Sequence, residues 1–221
     1  MKMGLRLHDS IKGTLAERLA FAKEQGFECA HLALSKVLPG FEMAKAPALL
    51  SDPALAERVR AAFVDRGMGC AVLGCYLNLA TPDEEQYRRN LDIYFAHLRF
   101  ARWMGAMTVG TETGAPNAAY KLDANTHSPE ALRTFMWNLE PVVEYAEKFG
   151  TTIAIEPVWN HIVFDTERAL TVLRAFGSPN LRIIFDPVNL LAMENLDRRE
   201  QVLGEAMDKL CDYIAMVHLK D

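Results

Sequence analysis

Three stretches decide the fold: Thr-Thr-Ile-Ala-Ile-Glu-Pro at 151–157, Leu-Arg-Ile-Ile-Phe-Asp-Pro at 181–187 and Tyr-Ile-Ala-Met-Val-His-Leu at 213–219. Each is a short apolar run of strand length that ends in a side chain able to bind a metal ion. Glu156, Asp186 and His218 are spaced 30 and 32 residues apart, the length of one βα repeat. Three such repeats in parallel would put the three side chains at one height on neighbouring strands, converging on a point above the sheet.

Outward from these stretches, the same alternation runs through the chain. Strands are expected at Gly4–His8, Cys29–Leu34, Gly69–Tyr76, Met107–Glu112, Thr152–Glu156, Arg182–Asp186 and Ala215–His218. Helices are expected at Thr14–Gln25, Pro53–Arg66, Glu84–Met104, Pro129–Phe149, Thr166–Phe176 and Arg198–Asp212. Ser51-Asp52-Pro53, Thr81-Pro82-Asp83 and Ser128-Pro129-Glu130 punctuate helix starts, and Gly26, Gly67, Gly105, Gly150 and Gly177 follow helix ends.

This is an α/β chain. The first βα turn, His8-Asp9-Ser10-Ile11-Lys12-Gly13, is no glycine-rich dinucleotide loop. Polar residues at the carboxyl ends of strands favour a (β/α)8 TIM barrel, which places its sites there. Long connections after those ends, 35–52, 113–127 and 157–165, are the expected substrate loops. Seven strands can be counted where a closed barrel needs eight. The expectation is therefore one domain over residues 1–221 that is C-terminally truncated, with strand eight missing and an edge at which a second copy could associate.

Composition narrows the function. The 221 residues are 50% hydrophobic and carry a formal net charge of −5, with no basic block to hold a nucleic acid. The sequence contains no apolar run near the roughly 20 residues that cross a membrane. Its charged first stretch does not read as a secretory signal. Cys29, Cys70, Cys75 and Cys211 have no C-x-x-C spacing and read as reduced thiols, so a cytoplasmic protein is expected.

Two carboxylates and an imidazole suit Mn, Mg, Co or Zn as divalent ions and leave positions for substrate oxygens. Four further residues are candidates for substrate binding at the same mouth. Asn189 reads either as a hydroxyl contact or a helix cap, His161 as a ligand contact or an exposed loop residue, and Glu112 as a substrate contact or a structural group. His8 either faces the substrate or satisfies nearby backbone. Lys220 and Asp221 are expected beside His218, where a ligating imidazole needs its second nitrogen fixed. His31 alternates with apolar residues and reads as packing.

Ile155-Glu156-Pro157, Phe185-Asp186-Pro187-Val188-Asn189 and Val217-His218-Leu219-Lys220-Asp221, preceded by Val109-Gly110-Thr111-Glu112-Thr113-Gly114, resemble the sugar phosphate isomerases and epimerases of the xylose isomerase-like TIM barrels. The resemblance implies a metal held by Glu156, Asp186, His218 and a strand-eight Glu that has no counterpart here. It also implies a histidine that contacts substrate where this chain has Asn189. In the family's ketose epimerases the strand-five glutamate, here Glu156, also exchanges a proton with the sugar. The expected function is thus a divalent-metal-dependent isomerase or epimerase of a small ketose, aldose or derivative, working through an enediolate. A non-catalytic truncated barrel that binds a sugar or a partner chain is the alternative. Metal-dependent endonuclease activity, known in the same superfamily, is disfavoured because Gly-Thr-Glu-Thr-Gly stands where those enzymes have His-Pro-Gly.

Overall fold

A computed structural model of the protein describes residues 1–220. In chain order the elements are β1 (Gly4–Arg6), α1 (Leu15–Glu24), β2 (Cys29–Leu32), α2 (Leu34–Val37), α3 (Ala46–Leu49), α4 (Pro53–Val64), β3 (Gly69–Gly74), α5 (Glu84–Met104), β4 (Thr108–Glu112), α6 (Pro129–Phe149), β5 (Ile153–Glu156), α7 (Thr166–Phe176), β6 (Leu181–Phe185), α8 (Arg199–Leu210) and β7 (Ile214–Val217). The seven strands form one parallel sheet in the order β1 to β7. It is curled like a TIM barrel, and among the described residues β1 and β7 each pair with a single neighbour.

The helix starts follow from side chains that satisfy otherwise unpaired N–H groups. Thr14 and Glu17 form a reciprocal capping box at α1. Asp52, Asp83, Ser128 and Asp165 accept from the backbone of α4, α5, α6 and α7. Strand ends are trimmed relative to expectation. β1 stops at Arg6, so His8 lies in a 3-10 turn, Leu7–Asp9. The connection 35–52 is not one loop: α2, a 3-10 turn at Met43–Lys45 and α3 occupy most of it.

Alternation across the strands sorts the side chains into two cores. The larger one packs the outer faces of the strands against the helices, with Tyr94, Phe100, Phe135 and Leu139 fully buried. The smaller one fills the concave side with Val72, Ala154 and Ile184, flanked by Ala215 and Met216. Ala154, Ile184 and Met216 each precede a candidate ligand by two residues. Because side chains two apart share a face of a strand, Glu156, Asp186 and His218 form the next layer above this apolar floor.

One polar group in the outer core gives a pH prediction. His97 in α5 is fully buried, with Nδ1 2.8 Å from the Ile93 carbonyl oxygen, and burial pushes its pKa down to about 4. The unfolded chain binds a proton on this ring below about pH 6.5 that the folded chain refuses until about pH 4. The contribution of neutral His97 is therefore complete above pH 6.5 and falls as the pH drops through that window, by an order of 3 kcal/mol. Urea melts of wild type and His97→Leu at pH 7.5 and 4.5 should show a smaller acid loss in the variant; equal losses would contradict it.

Candidate active site

The register of the sheet builds the site. Glu112 and Glu156 are direct partners across β4 and β5. Phe185 and Val217 pair across β6 and β7, and the His218 amide donates to the Phe185 carbonyl at 2.9 Å. Asp186 and His218, one residue beyond, therefore stand side by side. Donor atoms of Glu156, Asp186 and His218 all lie within 4.8 Å of one another. The two carboxylates are 4% and 2% exposed, and His218 Nδ1 is 3.3 Å from Glu156 Oε2.

Each carboxylate is fixed by its own contacts. Asp186 Oδ1 accepts from the backbone N–H groups of Val188 (3.0 Å) and Asn189 (3.2 Å), as a short 3-10 turn begins. Its Oδ2 takes Lys220 Nζ at 3.0 Å. Asn189 Nδ2 donates to Glu156 Oε1 at 2.5 Å, and Asn189 Oδ1 accepts from Lys220 Nζ at 2.5 Å. Asn189 is thus no side-chain helix cap; it ties Glu156 to Lys220. Lys220 stands beside the site as expected, but on Asp186 and Asn189 rather than on the His218 ring. Asp221 lies outside the described residues.

A cavity of about 330 Å³ opens over Glu156, Asn189, His218 and Lys220, lined also by Arg6, His8, Lys36, Tyr76 and Glu112. His8 faces it from beyond β1, with its Nε2 2.9 Å from Arg6 Nη2. Glu112 faces it from β4, where burial, and then the charge of Glu156, raise its pKa above the usual carboxylate range. The Tyr120 hydroxyl donates to Glu112 Oε2 at 3.2 Å. His161 does not line the cavity; it is 9% exposed and stands behind Glu112, with Nδ1 3.9 Å from Glu112 Oε2. Burial holds its pKa down at about 4, so it is neutral at pH 7.

Tyr76 and Tyr120 are site neighbours that the sequence reading missed, and His31, read as packing, packs against the site itself. The His31 ring stacks on His218, with centroids 5.5 Å apart and planes 12° from parallel. Tyr120 adopts φ 55°, rare for an aromatic residue, and no local pattern announces that. His31 carried a weak signal: it is the one polar residue in Cys-Ala-His-Leu.

This donor set, two buried oxygens and one imidazole nitrogen with no thiolate, has the chemistry to hold a hard or borderline divalent ion. Among the described residues Lys220 is the one lysine or arginine within ion-pair distance of these two buried carboxyl groups, so a cation among the three donors fits the electrostatics as well.

Similarity to known proteins agrees with the fold. A 104-residue segment, 47% of this chain and 32% of the relative, is 30% identical to the probable L-ribulose-5-phosphate 3-epimerase UlaE of Mycoplasma pneumoniae. The matched segment is thus about a third of that relative's length. Among solved structures, the 3-keto-D-glucoside 4-epimerase YcjR of E. coli is similar with a TM-score of 0.78 at 18% identity, over 100% of this chain and 79% of that one. The probable 3-DHS dehydratase AsbF of Bacillus anthracis follows at 0.76 and 15%, over 100% and 73%. Both likenesses are of fold. The family model described as xylose isomerase-like TIM barrel matches residues 19–221, and the chain belongs to that family.

Proposed function

We propose that the protein is a divalent-metal-dependent sugar isomerase or epimerase that acts on a small ketose, aldose or derivative. The observation that carries this reading is the convergence of Glu156, Asp186 and His218 at the ends of three consecutive parallel strands, with Glu156 and His218 lining a cavity of sugar size. The names of the relatives support the substrate class, one being an epimerase of a ketose phosphate and one of a keto-glucoside.

Glu156, Asp186 and His218 would hold the ion, and the ion when bound supplies Lewis-acid stabilisation of negative charge on the substrate oxygens. Glu156 serves as the base. Its carboxylate takes the proton from the carbon next to the carbonyl, and the C–H electron pair moves into a carbon–carbon double bond as the carbonyl oxygen gains charge. Return of that proton to the former carbonyl carbon, with the hydroxyl proton passing from the neighbouring oxygen to the former carbonyl oxygen, isomerises the sugar. Return of a proton to the first carbon from the opposite face epimerises it and requires a second acid. Asn189 holds the base in place, while Glu112 and His8 face the remainder of the ligand. The same reading makes the partner a small molecule rather than a nucleic acid, and the buried reduced thiols of Cys29, Cys70 and Cys75 suit the cytoplasm.

The test is incubation of L-ribulose, D-fructose, D-psicose and D-tagatose, with and without their phosphates, in deuterated water containing Mn²⁺, Co²⁺ or Mg²⁺. Deuterium should enter at the carbon next to the carbonyl of at least one sugar, and EDTA should stop it. No incorporation in any sugar with any ion would remove the proton-transfer reading.

Asn189 offers a second check. Asn189→Ala removes both the donor to Glu156 and the acceptor for Lys220, so Mn²⁺ affinity measured by calorimetry should fall about 10- to 100-fold. Unchanged affinity would mean that Asn189 does not orient the base.

A further inference from the structure

A histidine that binds a metal through one nitrogen ordinarily has its ring fixed by a hydrogen bond from the other, because rotation about its last side-chain torsion is only softly restrained. Among the described residues His218 has no such bond. Its Nδ1 faces Glu156 at 3.3 Å, while Nε2 is buried with no partner among the described residues. What meets the ring is another ring. His31 lies almost parallel to it, at 5.5 Å between centroids.

His31 is itself firmly placed. It stands on β2, in register with Arg6 on one side and Val72 on the other, and is 6% exposed. Tyr76 stacks near it at 5.9 Å and 26°, and His8 meets it edge-on at 5.6 Å. Gly74 makes room, since a Cβ there would lie 2.8 Å from His31 Nε2 and 2.9 Å from Tyr76 Cε2. Neither ring nitrogen of His31 has a hydrogen-bond partner among the described residues. A buried imidazole whose nitrogens meet no described protein donor or acceptor is held here by its faces and offers one of them to His218.

We propose that His31 is a positioning residue whose stacked ring, in place of a hydrogen bond, fixes the plane of His218 and so sets the geometry of the Glu156/Asp186/His218 centre. The inference rests on the metal-site reading above. It requires an aromatic face at position 31 and is indifferent to the nitrogens.

The test uses Co²⁺ alone, which reports affinity by calorimetry and ligand geometry by its visible absorption bands, without any substrate. Wild type, His31→Phe, His31→Leu and His218→Ala are compared after melting temperatures confirm that each is folded. His31→Phe should bind within about threefold of wild type with the same bands, because the face is retained. His31→Leu should bind at least tenfold more weakly with shifted bands, and His218→Ala should lose the bands altogether. Wild-type binding and bands in His31→Leu, with His218→Ala still defective, would overturn this inference and leave the metal site standing. Should His31→Leu fail to fold, His31→Phe decides: tenfold weaker binding there overturns the role of the face. A wild type without Co²⁺ binding overturns the metal site and this inference together.

Discussion

Glu156→Gln should lower solvent-deuterium exchange into the sugar by about 10³- to 10⁴-fold, within the range lost when a general base is removed, while leaving the fold intact. The amide is isosteric with the carboxylate. Its oxygen still accepts from Asn189 Nδ2, which bonds Glu156 Oε1 in the parent, and its NH₂ can donate to His218 Nδ1, 3.3 Å from the other oxygen. What disappears is the negative charge and with it the capacity to take a proton. With Mn²⁺ raised until the weakened ligand set is saturated, the effect should fall on kcat rather than on KM, because the base acts mainly as the C–H bond breaks. Exchange within tenfold of wild type would assign the proton transfer to another group, and Glu112, its partner across β4 and β5, would be the next to replace.

Gly114→Ala should be the most destabilising single methyl near the site. Gly114 has φ +76°, and an added Cβ would lie 2.2 Å from Asn78 Oδ1. Asn78 cannot swing aside freely. It is 6% exposed, and its amide donates to the Ala115 and Asn117 carbonyls while its oxygen accepts from the Ala80 amide. Left-handed backbone strain and overpacking together cost about 3 kcal/mol. In a chain of this size that lowers the melting temperature by about 6–12 °C. The Gly114 carbonyl also accepts from the Ile162 amide at 3.1 Å, so the loops after β4 and β5 should loosen together. A drop below about 2 °C would show that Asn78 yields at little cost.

Much of this is legible in the sequence alone, and for a definite reason. Strand-length apolar runs ending in Glu156, Asp186 and His218 encode both the parallel sheet and the height of the site, because strand register converts equal spacing into proximity. Helices α5 and α6 are bounded to the residue by their Asp or Ser caps and their glycines, and α7 ends where its glycine predicts. What escaped notice depends on contacts between distant segments. His31 alternates with apolar residues whether it fills an inert interior layer or backs His218, and only the curl of the sheet, which carries β2 across to β7, tells the two apart. Asn189 read equally as a cap or a hydroxyl contact, since nothing local reveals that Glu156, 33 residues earlier, would lie within hydrogen-bond reach. Tyr120 reaches Glu112 only through a backbone conformation that tyrosine rarely adopts. The short helices α2 and α3 are four residues each, too brief to show a period.

The central claim is that Glu156, Asp186 and His218 hold one divalent ion, and crystals grown with Mn²⁺ test it most directly. Anomalous scattering should place a single strong peak within coordination distance of all three side chains, with Lys220 moved off Asp186. The peak should be absent from crystals of Asp186→Asn grown in the same way. A peak elsewhere in the cavity, or full Mn²⁺ binding in that variant, would contradict the account.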